Sequence, residues 1–393
     1  MTPATALAAA GFVATAVAFG PARMGFGLFL PTLRPTFGLT TAQAGMIASL
    51  AFSAFLIALP LTAWLSRRVG QRLPVMAGAL AASLGFGLVA TAASTTALAA
   101  GIILAGASAG FCWAPFNDAA ERVVPEAARP GILSAVSTGT AVGVCAAGAL
   151  FLVITAGAFD WRLPWAGFAL IGLGAAGLAV PGLPSGPTPA RPIPVSPLRF
   201  FRKAVVPLYV AAIAFGACNA AYLSFAADHV VAAGGLPGLA DQAAAAVIFV
   251  SYGLFGLVGL ITGRLEAGFG LYPLVAGIFL AFAASLALVA VRPGLWAVVV
   301  LSAALHGAAV MTISAILSFW SLRLFPGRGS DGFTAALIGV AAASVLGAAL
   351  AGAIAQAIDV ATALLVAAAA PASAAIYFIT QAVQQSRMKR RRL

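Results

Sequence analysis

The sequence predicts an all-α integral membrane protein, twelve transmembrane helices in two pseudo-symmetric six-helix bundles. Three observations carry this expectation. Sixty-two per cent of the residues are hydrophobic and eight per cent charged, whereas about a quarter of a water-soluble domain is charged, so the medium around the chain is lipid. The apolar residues fall in runs of helix length, and a backbone facing hydrocarbon must satisfy its own polar groups, as a helix does. One long polar, proline-rich interruption, residues 182–204, divides the chain into stretches of 181 and 189 residues.

In chain order the runs place spans at 5–31, 41–65, 73–93, 97–120, 132–157 and 163–181, then at 205–228, 243–264, 271–290, 295–322, 333–356 and 361–382. Each is near or above the roughly 20 residues that cross a bilayer. The domains are therefore an N-terminal bundle at 1–181, a cytoplasmic linker at 182–204, and a C-terminal bundle with a basic tail at 205–393. Six prolines favour extended backbone in the linker, and Arg191, Arg199, Arg202 and Lys203 suit an anionic membrane surface. Nothing basic precedes the first run, and the first arginine, Arg23, lies inside it, so residues 5–31 read as a retained span and not as a cleaved signal.

Basic residues near span ends collect in the cytoplasm. With both termini inside, 17 of the 21 Lys and Arg fall on that side, among them Arg67, Arg68, Arg122, Arg264, Arg323, Arg328 and the tail cluster from Arg387. Arg34, Arg162 and Arg292 fall outside, and Arg23 lies in the membrane. The expected location is the cytoplasmic (inner) membrane. The net charge of +12 is thus explained by topology, and nucleic acid is not an expected partner, because no basic face on a soluble fold accompanies it.

Cys112, Cys145 and Cys218 sit singly inside apolar runs, so neither a disulfide nor a thiolate metal site is expected. The phosphate-cradling string GxxxxGK[ST] and the zinc string HExxH are both missing. No metal and no cofactor is expected.

The two halves echo each other, as repeat-built transporters do. Ala63-Trp-Leu65-Ser-Arg67-Arg68-Val-Gly70 aligns with Gly263-Arg-Leu265-Glu-Ala267-Gly268-Phe-Gly270 at an offset of 200 residues, and Arg23 through Phe29 aligns with Asn219 through Phe225. Gly253, Gly256, Gly259 and Gly263 on span 8, and Gly139 with Gly143 on span 5, are small-residue stripes that let helices approach closely.

The segment LSRRVGQR at 65–72 resembles the loop signature GxLxDRxGRR of the major facilitator superfamily, with Ala63 for its first Gly, Arg68 and Gly70 matching, and Arg67 where Asp is usual. Gly106-Ala-Ser108-Ala-Gly110 is similar to the glycine end of that family's span-4 motif, with Ile102 in place of its arginine, and Asp160-Trp161-Arg162 resembles the WR that often precedes span 6. Span 5 carries Gly139, Gly143 and Gly148 without the GP pair of drug antiporters. The resemblance covers essentially the whole chain. It implies alternating access by two bundles around a cavity lined by spans 1, 4, 7 and 10; a monomer is the expected form.

An ionisable side chain deep in a membrane costs about 3 kcal/mol on insertion scales, so each one requires a reason. Arg23, Asn219 and His306 lie near the middles of spans 1, 7 and 10, at similar depths. The expected substrate-binding set is Arg23, Asn219, Tyr222, His306, Phe111 and Trp113. Arg23 would present a permanent cation to an anionic group, which a guanidinium can hold bidentately. His306 would carry a coupling proton, since its ordinary pKa of about 6.5 is readily moved across physiological pH. Helix packing is the competing explanation for each.

A cytoplasmic gate is expected from Arg67, Arg68, Asp118, Glu121 and Asp331. In it Asp118 or Glu121 pairs with Arg68, and Asp331 offsets Arg67 at the start of span 11. The function expected is secondary active transport of a small organic anion, with a proton or a counter-substrate as the coupling partner. The alternatives are export of drug-like or amphipathic compounds and, from another class, an intramembrane serine hydrolase. The last would use the string GASAG, in which Ser108 is the nucleophile and His306 the base.

Overall fold

The computed structural model describes residues 2–187, 202–326 and 329–390. The middle of the linker, with Arg191 and Arg199, lies outside the described residues, as do Arg328 and the last residues of the basic tail.

Twelve membrane-length helices follow one another, and among the described residues there is no strand. They are α1 (Pro3–Phe37), α2 (Thr41–Val69), α3 (Arg72–Ala90), α4 (Thr95–Val123), α5 (Glu126–Ala156), α6 (Arg162–Gly182), α7 (Lys203–Ala232), α8 (Ala243–Phe269), α9 (Leu271–Val291), α10 (Trp296–Leu324), α11 (Asp331–Ala357) and α12 (Val360–Arg387). Even the shortest, α3 with 19 residues, reaches about 28 Å at 1.5 Å per residue, enough for the hydrocarbon core. Leu84, Leu170, Leu346 and Ile376 are each more than 60 per cent exposed, which only a lipid surround makes favourable.

Local chemistry sets the ends of these helices. Thr40 and Gln43 cap α2 reciprocally, the Gln43 N–H donating to Thr40 Oγ1 at 3.1 Å and the Thr40 N–H to Gln43 Oε1 at 2.9 Å. Ser94 accepts from the Ala97 N–H at 3.2 Å to start α4. Two helices are broken. In α1 the α-helix stops at Gly20, where Pro21 has no N–H to continue the ladder. In α8 a 3-10 stretch, Leu257–Ile261, separates Ala243–Gly256 from Thr262–Phe269.

The internal repeat is visible in the backbone. Gly70 ends α2 with φ +86°, its N–H donating to Ser66 O at 3.1 Å; Gly270 ends α8 with φ +81°, its N–H donating to Glu266 O at 2.8 Å. Only glycine takes this conformation without strain, which is why the sequence echo at an offset of 200 residues retains it.

Packing repeats as well. In the first half α1 packs on α4, α5 and α6, while α4 packs on α2 and α3, and α3 on α6; adding six to every number describes the second half. Across the halves α2 meets α11, α5 meets α8, and α1 meets α7. Small residues bring these pairs together. A Cβ on Gly45 would lie 2.7 Å from the Gly352 Cα, and Ser49 Oγ donates to Val345 O at 2.8 Å on the same α2–α11 seam. A Cβ on Gly27 of α1 would collide with the Leu223 carbonyl oxygen of α7.

Candidate functional site

Arg23 follows Pro21 by two residues, on the second segment of α1, and opens into a narrow cavity between the bundles. Phe52 and Phe55 of α2, Ile102 and Gly106 of α4, and Leu223 and Ser224 of α7 also line it. Spans 1, 4 and 7 therefore contribute as the resemblance implied. Among the described residues α2 stands where α10 was expected.

The Arg23 guanidinium carbon lies 4.8 Å from the Phe55 ring centre, 5.4 Å from Phe52 and 5.8 Å from Phe19. Aromatic faces are negative and attract a cation. Among the described residues the guanidinium has neither a hydrogen bond nor an ion pair. Its charge is held by ring faces alone, and its N–H donors are left for a bound group.

The other expected polar residues form a separate cluster inside the second half. His306, Asn219 and Tyr222 are at most 2 per cent exposed, and none of them lines the Arg23 cavity. His306 Nε2 is 3.3 Å from Asn219 Oδ1, and its Nδ1 is 3.1 Å from Ser285 Oγ. Ser285 and Ser302 then exchange hydrogen bonds, each hydroxyl donating to the other's carbonyl at 2.9 and 2.8 Å. The Tyr222 hydroxyl is 3.2 Å from Ser302 Oγ. The imidazole is enclosed by rings, with Tyr222 stacked on it and Phe282 edge-on at 4.9 Å. Both ring nitrogens are thus occupied by neighbours from α7 and α9.

Phe111 and Trp113 also miss the cavity. Phe111 packs against Gly78 of α3. Trp113 sits edge-on to Phe19 at 5.5 Å and reaches Phe333 of α11 at 6.5 Å, so it supports the aromatic sleeve of Arg23 from behind.

Sequence reasoning missed Phe19, Phe52 and Phe55, which give no signal in so apolar a chain. It also missed Tyr252 of α8. This side chain is fully buried, its hydroxyl has no hydrogen-bond partner, and its ring centre is 6.0 Å from that of His306. A buried hydroxyl without a partner is rare enough to require an explanation.

Among the described residues two ion pairs join the halves, one at each end. Arg67 Nη2 of α2 is 3.6 Å from Asp331 Oδ1 of α11. The pair borders a second, smaller opening, also lined by Thr62, Ser66, Asp118 and Thr334. Arg68 lies over the Trp64 ring at 4.5 Å, with no ion pair to Asp118 or Glu121 among the described residues. The Glu121 carbonyl oxygen accepts from Arg129 Nη2 at 3.1 Å. At the opposite end Arg34 of α1 pairs with Asp228 of α7, a carboxylate the sequence reading did not single out. Thr32 Oγ1 and Gln242 Oε1 (3.1 Å), and Thr41 Oγ1 and Gln356 Oε1 (3.1 Å), join the halves beside it.

The hydrolase arrangement is not formed. Ser108 Oγ is buried without a hydrogen-bond partner, on an uninterrupted helix, and His306 is committed to Ser285 and Asn219. A nucleophile and its base would have to be within hydrogen-bond reach.

The model of the Major Facilitator Superfamily matches residues 8–288. The chain belongs to the major facilitator superfamily. Solved superfamily structures agree in fold. A bacterial homologue of the human lysosomal transporter Spinster, inward-facing and occupied, is 16% identical with a TM-score of 0.71, over 96% of this chain and 95% of that one. The nucleoside transporter NupG is 14% identical with a TM-score of 0.71, over 97% of this chain and 99% of that one. No curated protein matches the chain. Membership accounts for the two bundles and makes this a transporter fold in a multi-pass membrane protein.

Proposed function

We propose that this protein is a secondary active transporter that moves a small organic anion across the cytoplasmic membrane by alternating access, coupled to protons or to a counter-substrate. The units that rock are residues 1–181 and 205–393 joined by a cytoplasmic linker at 182–204, with both termini cytoplasmic, and the working form is a monomer without a cofactor. The observation that carries the reading is Arg23, a permanent cation on the wall of a central cavity, held by three phenylalanine rings and with no carboxylate beside it among the described residues. Such a group favours a ligand that brings its own negative charge. The apolar lining adds that the rest of the ligand is largely hydrophobic or aromatic.

The buried ring of His306, within hydrogen-bond distance of Asn219 and Ser285 and not part of the cavity lining, supports a packing role for it more than proton transfer. Arg67 and Asp331 form the cytoplasmic gate, flanked by Arg68, Asp118 and Glu121.

Export of amphipathic compounds is the second reading, supported by the aromatic sleeve. Nucleosides enter the test because NupG transports them. Thermal shifts of the purified protein over carboxylates, phosphate esters, nucleosides and hydrophobic cations separate these. Stabilisation by apolar carboxylates or phosphate esters, lost in Arg23→Gln, is expected. Stabilisation by cations or by uncharged nucleosides in both proteins overturns the anion assignment.

A further inference from the structure

We propose that Ser224 is the second substrate contact of the Arg23 cavity, and that it selects carboxylates carrying a hydroxyl or oxo group on the neighbouring carbon, that is, 2-hydroxy or 2-oxo monocarboxylates. The proposal rests on the anion reading given above and adds to it what the rest of the ligand must offer.

The cavity wall is apolar except at two side chains. Arg23 comes from the first bundle and Ser224 of α7 from the second; the other lining residues are Ala, Phe, Ile, Leu and Gly. Ser224 is 4 per cent exposed, and among the described residues its hydroxyl has no hydrogen-bond partner. A serine within a helix can satisfy itself by donating to the carbonyl four residues back. Ser53, Ser137, Ser314, Ser321 and Ser344 do so, at 2.7 to 2.9 Å. Ser224 does not, and a buried hydroxyl in that state is costly until something binds it. Ser108 and Thr140 are also buried without partners, but neither lines the cavity.

The two polar groups lie close to one contact between the bundles. α1 and α7 touch at Gly27 and Leu223, where a Cβ on the glycine would meet the Leu223 carbonyl oxygen. Leu223 directly precedes Ser224, and Arg23 stands one helical turn before Gly27, roughly 6 Å along the axis. Gly27 and Leu223 are equivalent positions of the internal repeat, because Arg23 through Phe29 aligns with Asn219 through Phe225. The repeat's equivalent of Arg23 is thus Asn219, which is turned to His306. What the second half brings to the cavity is therefore a hydroxyl and not a second charge. One cation matches one carboxylate. With both carboxylate oxygens on the guanidinium, a polar atom on the adjacent carbon comes within reach of Ser224, which donates to an oxo group or exchanges a hydrogen bond with a hydroxyl. An acid without that atom seals the serine away from water unpaired, and a site with such a group rejects the analogue that cannot pair with it.

Calorimetric titration of the purified full-length protein tests this with two pairs of acids that differ by one hydroxyl, lactate with propionate and mandelate with phenylacetate. The parent is expected to bind the hydroxy acid of at least one pair at least about tenfold more tightly than its partner. Ser224→Ala is expected to bind the two members of that pair alike, and to unfold with the parent when free of ligand, since the hydroxyl it loses bonds nothing in the protein. Ser108→Ala, which removes a buried unpartnered hydroxyl outside the cavity, is expected to keep the parental preference. Equal binding within both pairs by the parent, or a preference that survives in Ser224→Ala, would overturn the assignment. So would an equal loss for both members of a pair in Ser224→Ala, which would put the serine on the carboxylate itself. If none of the four acids binds, or if each binds Arg23→Gln as tightly as the parent, the anion reading falls and the substrate class with it. Binding that depends on Arg23 but not on the hydroxyl sinks the role of Ser224 alone.

Discussion

Tyr222 lies flat against His306, with ring centroids 3.8 Å apart and planes 12° from parallel, and its hydroxyl closes the hydrogen-bonded cluster at Ser302. This makes the pair a fixed node joining α7, α9 and α10. Tyr222→Phe removes one buried hydrogen bond and is expected to cost about 1 kcal/mol. His306→Ala leaves Asn219 and Ser285 without their partner and opens a void, and is expected to cost about 2–5 kcal/mol. Thermal unfolding in detergent measures both. His306→Gln, which keeps a polar group at the site, is expected to preserve the pH dependence of transport; loss of that dependence would restore the histidine as proton carrier.

The Arg67–Asp331 pair is exposed, so its energetic value is small, about 1 kcal/mol or less. Arg67→Asp is therefore expected to change the transport rate by no more than about fivefold. Adding Asp331→Arg to it should recover the parental rate in reconstituted vesicles. A double mutant no better than the single would exclude this pair as a gate.

Gly45 and Gly352 let α2 and α11 touch at the end marked by Arg34 and Asp228. Gly45→Ala places a methyl group 2.7 Å from the Gly352 Cα and from the Ala348 carbonyl oxygen, an overpacking that costs about 1–3 kcal/mol. The closed form of this end is thereby disfavoured. Labelling of a cavity cysteine through this end is expected to rise by about fivefold or more.

The fold was legible because its causes are written locally. Apolar length marks the spans, and Gly70 and Gly270 mark equivalent turns in the two halves. The expected bounds differ from the helices mainly where caps extend them, as at Pro3 and Phe37 of α1. The site was only partly legible. Depth along a helix can be counted, and it correctly brought Asn219 close to His306. The face a residue presents is harder to count, because these helices are apolar all round and carry little amphipathic signal. Arg23 and His306 therefore lie on different sides of the cavity wall, although the sequence suggested one shared pocket. The break at Gly20 and the 3-10 stretch in α8 rotate the faces further. Asp228 did carry a signal that went unused, since it stands at the end of span 7 that matches the Arg34 end of span 1.

The account rests on the charge of Arg23, and the most direct measurement compares an apolar carboxylate with its isosteric amide as ligands of the parent and of Arg23→Gln, by calorimetric titration of the purified protein. One charge-assisted contact in a dry cavity contributes about 1.5–3 kcal/mol, so the parent is expected to bind the carboxylate at least about tenfold more tightly than the amide. The preference should vanish in Arg23→Gln, while amide binding stays as it was. An equal carboxylate preference in both proteins would contradict the account.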